Sequence, residues 1–184
     1  ASYFREAVLR QKRGEPVNPH GSEHREKIAT DNLNPLIFSL LANDLFVGFT
    51  RFEYEGHSYL RDRGYTFEEQ LNIDTEEMLD KTIYDYYEAE VSGIIPMLIL
   101  SPTIVNDGRK LYISAQPVAY MNAEILNFPD YGNHKLSGVD FQLLFEDHGA
   151  ASLRFLSALR MNATFPYITP NTTLPTHPPI RIMD

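Results

Sequence analysis

The stretch Gly149–Asp184, GAASLRFLSALRMNATFPYITPNTTLPTHPPIRIMD, reads as a helix, a proline-rich loop and a short strand that ends on an acid. From Ala150 to Met161, Leu153, Leu156, Ala158 and Leu159 recur at helical spacing. Asn162 and Pro166 then predict the helix end, because the residue before a proline is pushed out of the α region. Five prolines and no glycine between Pro166 and Pro179 make the following loop stiff. Ile180, Ile182 and Met183 suit a buried strand. That strand would deliver Asp184 to the carboxyl edge of an α/β sheet, where ligands and catalytic groups gather.

Composition narrows the function classes. The 184 residues suffice for one core-bearing domain, and 43% hydrophobic with 22% charged residues is ordinary for a globular protein. Zero cysteines exclude disulfides and thiolate metal sites. A net charge of −9 argues against a nucleic-acid surface and gives no pull toward anionic lipid headgroups. The longest apolar run, Ile94 to Leu100, falls far below a membrane span, and no signal-peptide pattern opens the chain. A cytoplasmic or peripheral-membrane location is the expectation.

Earlier segments read as follows. Ala1 to Arg13 predicts a charged helix with Phe4, Val8, Ala1 and Ala7 inward, ended by Gly14. GEPVNPHG is a turn-rich linker. Ser22 is placed to cap a second helix, and Asn34-Pro35 a third carrying Leu36, Ile37, Leu40 and Leu41. Phe46 to Tyr65 is aromatic and irregular, expected as a packed surface excursion or a lid. Phe67 to Tyr87 predicts helix, with Asp74 and Glu77 at capping-box spacing and Leu79, Ile83 and Tyr87 four apart. The Tyr84, Tyr86 and Tyr87 cluster suits half-buried packing or contact with a membrane surface. Ile94 to Val105 is the best strand pattern; Asn106-Asp107-Gly108 supplies a turn, and Lys110 to Ser114 a hairpin partner. Between Tyr120 and His148, Gly138 and Asp140 predict the start of a short helix over Phe141 to Phe145.

Helix, ALRMNATFPYITPN, a spacer and an apolar strand ending in Asp together resemble the C-terminal half of a patatin-like phospholipase domain. IPMLILSPTIVNDGRKLYISAQP resembles that family's strand-turn-strand, and ASYFREAVLRQ the helix that follows its nucleophile elbow. The similarity is clearest over Ile94–Pro117 and Ala150–Asp184, and Gly14–Gly93 resembles only a bacterial branch with a longer insertion. The resemblance implies an α/β class protein with a patatin-like three-layer α/β/α hydrolase fold, incomplete in this chain. It divides residues 1–184 into a helical and aromatic insertion over 14–93 and a strand-hairpin, helix and Asp-bearing strand over 94–184. It further implies lipid ester hydrolysis of the phospholipase A kind through a Ser-Asp dyad, with Asp184 as general base. Phe165 and Tyr167 would line the acyl channel. No cofactor and no metal is implied, and the partner is a lipid or phospholipid substrate.

No G-x-S-x-G and no glycine-rich oxyanion loop occurs in the sequence. The resemblance therefore places the chain from just after the nucleophile to the dyad Asp, and the chain alone is expected to be inactive. A non-catalytic lipid- or protein-binding relative on the same fold is the alternative. An unrelated α/β domain would place the strand at Ile94 outside the sheet that carries Ile180 to Met183. His20, His24, His57, His134, His148 and His177 form no metal-binding spacing. Glu146-Asp147-His148 reads as a solvated turn, and Ser152 lacks the elbow glycines, reading as a helix-start residue.

Overall fold

The computed structural model describes residues 2–22, 50–54, 57–122, 137–164 and 169–184. Helix α1 (Ser2–Lys12) is followed by an antiparallel hairpin, β1 (Thr50–Tyr54) and β2 (His57–Arg61), then α2 (Arg63–Asp74). A 3-10 turn at Ile83–Tyr86 leads into α3 (Tyr87–Val91). After β3 (Thr103–Ile104) and β4 (Lys110–Tyr112) come β5 (Gly138–Asp140) and α4 (Phe141–Leu144). Helix α5 (Phe155–Met161) and strands β6 (Thr172–Leu174) and β7 (Ile180–Met183) complete the order. Five strands form one mixed sheet, β5-β4-β3-β7-β6, in which only the β4–β5 pair is parallel. The chain is thus of the α/β class.

The best strand pattern yields a hairpin, but a short one. Thr103 lies opposite both Lys110 and Met183, and the Leu100–Ile113 bridge extends the hairpin past the named strands. Pro96 and Pro102 have no amide hydrogen to donate, which interrupts the ladder N-terminal to β3. Gly108 takes φ 79° at the turn and donates to Ile104 O at 2.8 Å. A side chain at that φ would be strained.

Several expectations are corrected. The irregular excursion over Phe46 to Tyr65 contains the β1–β2 hairpin. The Phe67–Tyr87 helix breaks after Asp74, where Glu76 and Glu77 adopt positive φ, and the capping box is Thr82 with Asp85. The Ala150–Met161 helix is instead a 3-10 turn at Ala150–Ser152 followed by α5. Its break at Leu153 and Arg154 has a clear cause. Leu153 O accepts from Ile83 N at 2.9 Å and Phe155 N donates to Lys81 O at 2.7 Å, so these backbone groups serve an extended bridge rather than a helix. In α1, Phe4 is 45% exposed, and the inward face is made by Tyr3, Ala7 and Leu9 together with Arg5 and Glu6. The helices predicted after Ser22 and Asn34 lie outside the described residues.

The core joins both halves of the chain. Leu79, Ile83 and Tyr86 pack in one cluster with Leu111, Ile113, Phe155, Leu156 and Ile182. A polar seam closes α2 on α5: Arg160 reaches Asp62 at 3.2 Å and Glu68 at 3.3 Å, while Arg154 reaches Asp80 at 2.8 Å. Gly138 in β5 lies beneath the Tyr112 ring, where an added Cβ would sit 2.2 Å from a ring carbon. Tyr112 is buried and cannot step aside freely. Gly138→Ala should cost about 1–3 kcal/mol by overpacking, read from the shift in a urea unfolding midpoint.

Candidate functional site

Strand β7 fixes where Asp184 goes. Its neighbours β3 and β6 both run antiparallel to it, and the register that sets Met183 opposite Thr103 brings Asp184 opposite Pro102. Strand alternation places Ile180, Ile182 and Asp184 on one face. Ile182 is fully buried there, and Asp184, one step past the last paired residue, is exposed. Among the described residues nothing hydrogen-bonds its carboxylate.

β4, β5 and β7 run the same way, so their carboxyl ends share one edge of the sheet. Asp140 ends β5 at that edge and is fully committed there. It accepts from Val118 N at 2.7 Å and from Gln142 N at 2.8 Å, while Gln142 Nε2 donates to Ser114 O and Ala115 O. Three strand spacings separate β5 from β7, so the two carboxylates stand about 14 Å apart. That is too far for a paired acid and base across one bond. Among the described residues at the carboxyl ends of these three strands, Asp184 is the carboxylate that accepts no hydrogen bond.

The amide of Ser101, beside Pro102, donates to Asn162 Oδ1 at 2.9 Å. Asn162 is the C-cap of α5, as the sequence predicts, so this bond ties the helix end to the strand opposite Asp184. Thr164 is buried, while Phe165 and Tyr167 lie outside the described residues. Glu146, Asp147 and His148 form an exposed 3-10 turn, and Ser152 is exposed, donating to Gly149 O at 2.7 Å. Among the described residues no group of three His, Asp or Glu is placed to hold a metal ion, and no helix is long and apolar enough to cross a membrane.

A cluster of buried charges meets the same edge, and no residue spacing marks it in advance. Arg5 is 4% exposed and its guanidinium pairs with Glu90, whose side chain is 1% exposed. Arg5 Nε also donates to Pro96 O at 2.9 Å, and Glu90 accepts from Leu98 N at 3.2 Å and Gln116 Nε2 at 3.4 Å. Next to it, the wholly buried Glu6 takes Lys81 and Arg10 on one oxygen. Both Arg5 and Lys81 lie over the Tyr86 ring, at 5.2 and 5.6 Å. Arg5, Tyr86 and Glu90, with Leu100, Ile113 and Ala115, line a void of about 10 Å³. That is room for one water at most.

A wider groove of about 600 Å³ lies at the other end of the sheet, beside the Asn106–Arg109 turn, with Ile104, Phe145, His148 and His177 among its walls. Asp184 does not line it. This groove and the candidate acid are thus separate. Neither a family model, nor a curated protein, nor a solved structure matches this chain.

Burial first, and then the adjacent Glu6 carboxylate, push the Tyr86 phenol far above its ordinary range. Its hydroxyl and Glu6 Oε2 are both buried without a hydrogen bond. A group whose folded-state pKa is raised favours folding fully below its unfolded value, near pH ~10. The contribution is lost as pH rises from there toward the raised value. Stability should therefore fall above about pH 10, by up to about 1.4 kcal/mol per pH unit from this group. Tyr86→Phe should remove that part of the slope in urea melts run between about pH 9 and about pH 11.

Proposed function

We propose that this chain carries the acid side of a patatin-like serine acyl hydrolase site, on a patatin-like three-layer fold, acting on fatty-acyl esters of glycerophospholipids or related lipids. The observation that carries this is the placement of Asp184 at the carboxyl end of β7, in register beside β3. An unrelated domain was expected to separate the Ile94 strand segment from Ile180–Met183, whereas β3 and β7 are direct neighbours. α5 precedes β7 in the chain, with the strand β6 lying where the proline-rich loop is expected.

In the proposed reaction the Asp184 carboxylate accepts the proton of a serine hydroxyl, which the resemblance places on a segment before α1. The serine oxygen attacks the ester carbonyl, and backbone N–H groups that the resemblance places beside that serine hold the oxyanion. Collapse breaks the ester C–O bond, and Asp184 returns the proton to the leaving alcohol. Asp184 then takes a proton from water, whose oxygen attacks the acyl-enzyme carbonyl; on collapse the acyl C–O bond to serine breaks, Asp184 returns that proton to the serine oxygen, and the fatty acid leaves. No histidine is required between the two groups, in contrast to a triad. Phe165 and Tyr167, adjoining the C-cap of α5, are proposed to line the acyl chain's path.

The test uses the full-length protein and a serine-directed fluorophosphonate probe. Wild type should label, and Asp184→Ala should slow labelling by about 10²- to 10⁴-fold, the usual weight of a positioned general base. Labelling indifferent to Asp184 would sink the catalytic assignment and leave a non-catalytic lipid- or protein-binding relative.

A further inference from the structure

The groove beside the Asn106–Arg109 turn lies apart from Asp184, and its walls share a consistent chemistry. Its floor continues the core. Register sets Ile104 opposite Ile182, so strand alternation puts Ile104 and Ile180 on the same face of the sheet. Ile104 and Phe145 are buried, whereas Ile180 is half-buried and Leu144 is 36% exposed. Apolar surface that is covered elsewhere is left open here. At about 600 Å³ the opening falls within the ~300–1,000 Å³ usual for small-molecule sites.

The walls are set without a ligand. Asn106 Nδ2 donates to Pro179 O at 3.1 Å and its Oδ1 accepts from Arg181 N at 2.9 Å. That side chain ties the β3–β4 turn to the β6–β7 turn. The Thr176 hydroxyl donates to Pro178 O at 2.8 Å and accepts from Ile180 N at 2.9 Å. Both side chains are spent on the scaffold, so binding has little ordering of these walls to offset.

The polar groups left over are hydrogen donors at the mouth. Among the described residues that wall the groove, Asp107 is the only acid. Arg109 answers it: Arg109 N meets Asp107 Oδ1 at 3.0 Å, and Nε and Nη2 each meet Oδ2 at 2.7 Å. Among the described residues, Arg109 Nη1 and the imidazoles of His148 and His177 have no partner. A cationic head would find no free carboxylate here. A dianion such as phosphate would meet one guanidinium that Asp107 already answers in part. A carboxylate carries a single charge and only accepts, which matches donors from Arg109 and the two imidazoles.

We infer that this groove binds an aliphatic monocarboxylate, a fatty acid in chemical class, with its chain on Ile104, Leu144, Phe145 and Ile180 and its head at Arg109, His148 and His177. The inference stands whether or not Asp184 serves an acyl hydrolase, because Asp184 does not line the groove.

The test titrates the full-length protein with sodium octanoate, decanoate and dodecanoate, and with decanol, following the histidine ring protons by NMR. The His148 and His177 signals should shift saturably, while His20, packed against Phe4, should not. Affinity should rise about 2- to 4-fold per added methylene, the lower figure for a chain with one side in solvent. Decanoate should bind about 10-fold tighter than decanol, and Arg109→Gln should abolish that preference. Leu144→Glu, a change at an exposed position, should weaken both ligands by about 10-fold or more. Asp184→Ala should leave binding unchanged, which separates this site from the proposed acid site. Shifts that fail to appear or to saturate overturn the inference. So does decanoate binding that neither Arg109→Gln nor Leu144→Glu weakens, since the ligand then sits elsewhere. Decanol binding as tightly as decanoate to wild type overturns the carboxylate assignment in favour of a neutral lipid.

Discussion

The carboxylate of Glu90 is taken almost wholly out of water, and most of the described structure is arranged so that this is tolerable. An unpaired buried charge would cost several kcal/mol, on the order of the stability of a whole domain. Arg5 answers the charge, and Leu98 N and Gln116 Nε2 fill the remaining acceptor positions. None of these partners is local to α3. The helix at the start of the chain, the loop after α3 and the exit of β4 must all arrive before Glu90 is satisfied. Docking of α1 thus supplies the charge that Glu90 needs. A helix of eleven residues with one thin apolar face would otherwise be marginal.

The sheet is held by placement rather than by length. β3 has two residues and β4 three, yet Ile104, Leu111 and Ile113 are almost completely buried. Apolar area buried by side chains from α5 and the 3-10 turn at Ile83–Tyr86 outweighs the few ladder bonds that such strands make. Proline placement is consistent with this. Pro102 and Pro179 flank strands rather than interrupt them, so the ladder loses no donor inside β3 or β7.

What was legible in the sequence followed the length and self-sufficiency of each signal. β7 could be read because Ile180, Ile182 and Met183 stand out against prolines, and the β3–β4 hairpin because Asn106-Asp107-Gly108 is itself a turn. Asp140 starting α4 was also readable, since it bonds the amide of Gln142 two residues on. β5 was missed because three residues cannot display a period. The β1–β2 hairpin was missed although T-R-F-E-Y alternates, because the arginines around it drew attention as irregular charge. The break in the 150–161 helix was hidden for another reason: Leu153 and Arg154 obey a bridge to Thr82, and local propensity carries no trace of it. The same holds for Arg5 and Glu6. Two adjacent charges near a helix start read as solvated, and their partners at Glu90 and Lys81 lie 85 and 75 residues away. Asp184 was readable as a position, but its freedom from partners was not.

Arg5 and Asp184 are linked along a short path. From Arg5 the contacts run to Pro96 and Glu90, through Leu98 to the Leu100–Ile113 bridge, and then over two residues to Pro102, opposite Asp184. The steps are side-chain-to-backbone hydrogen bonds, a buried ion pair, strand pairings and short runs of chain, and none depends on an exposed side chain. Asn162 adds a second route, from the end of α5 to Ser101 on the same segment. A carboxylate that must accept a proton directly tolerates little error in distance, since no intervening imidazole can take up slack by rotating.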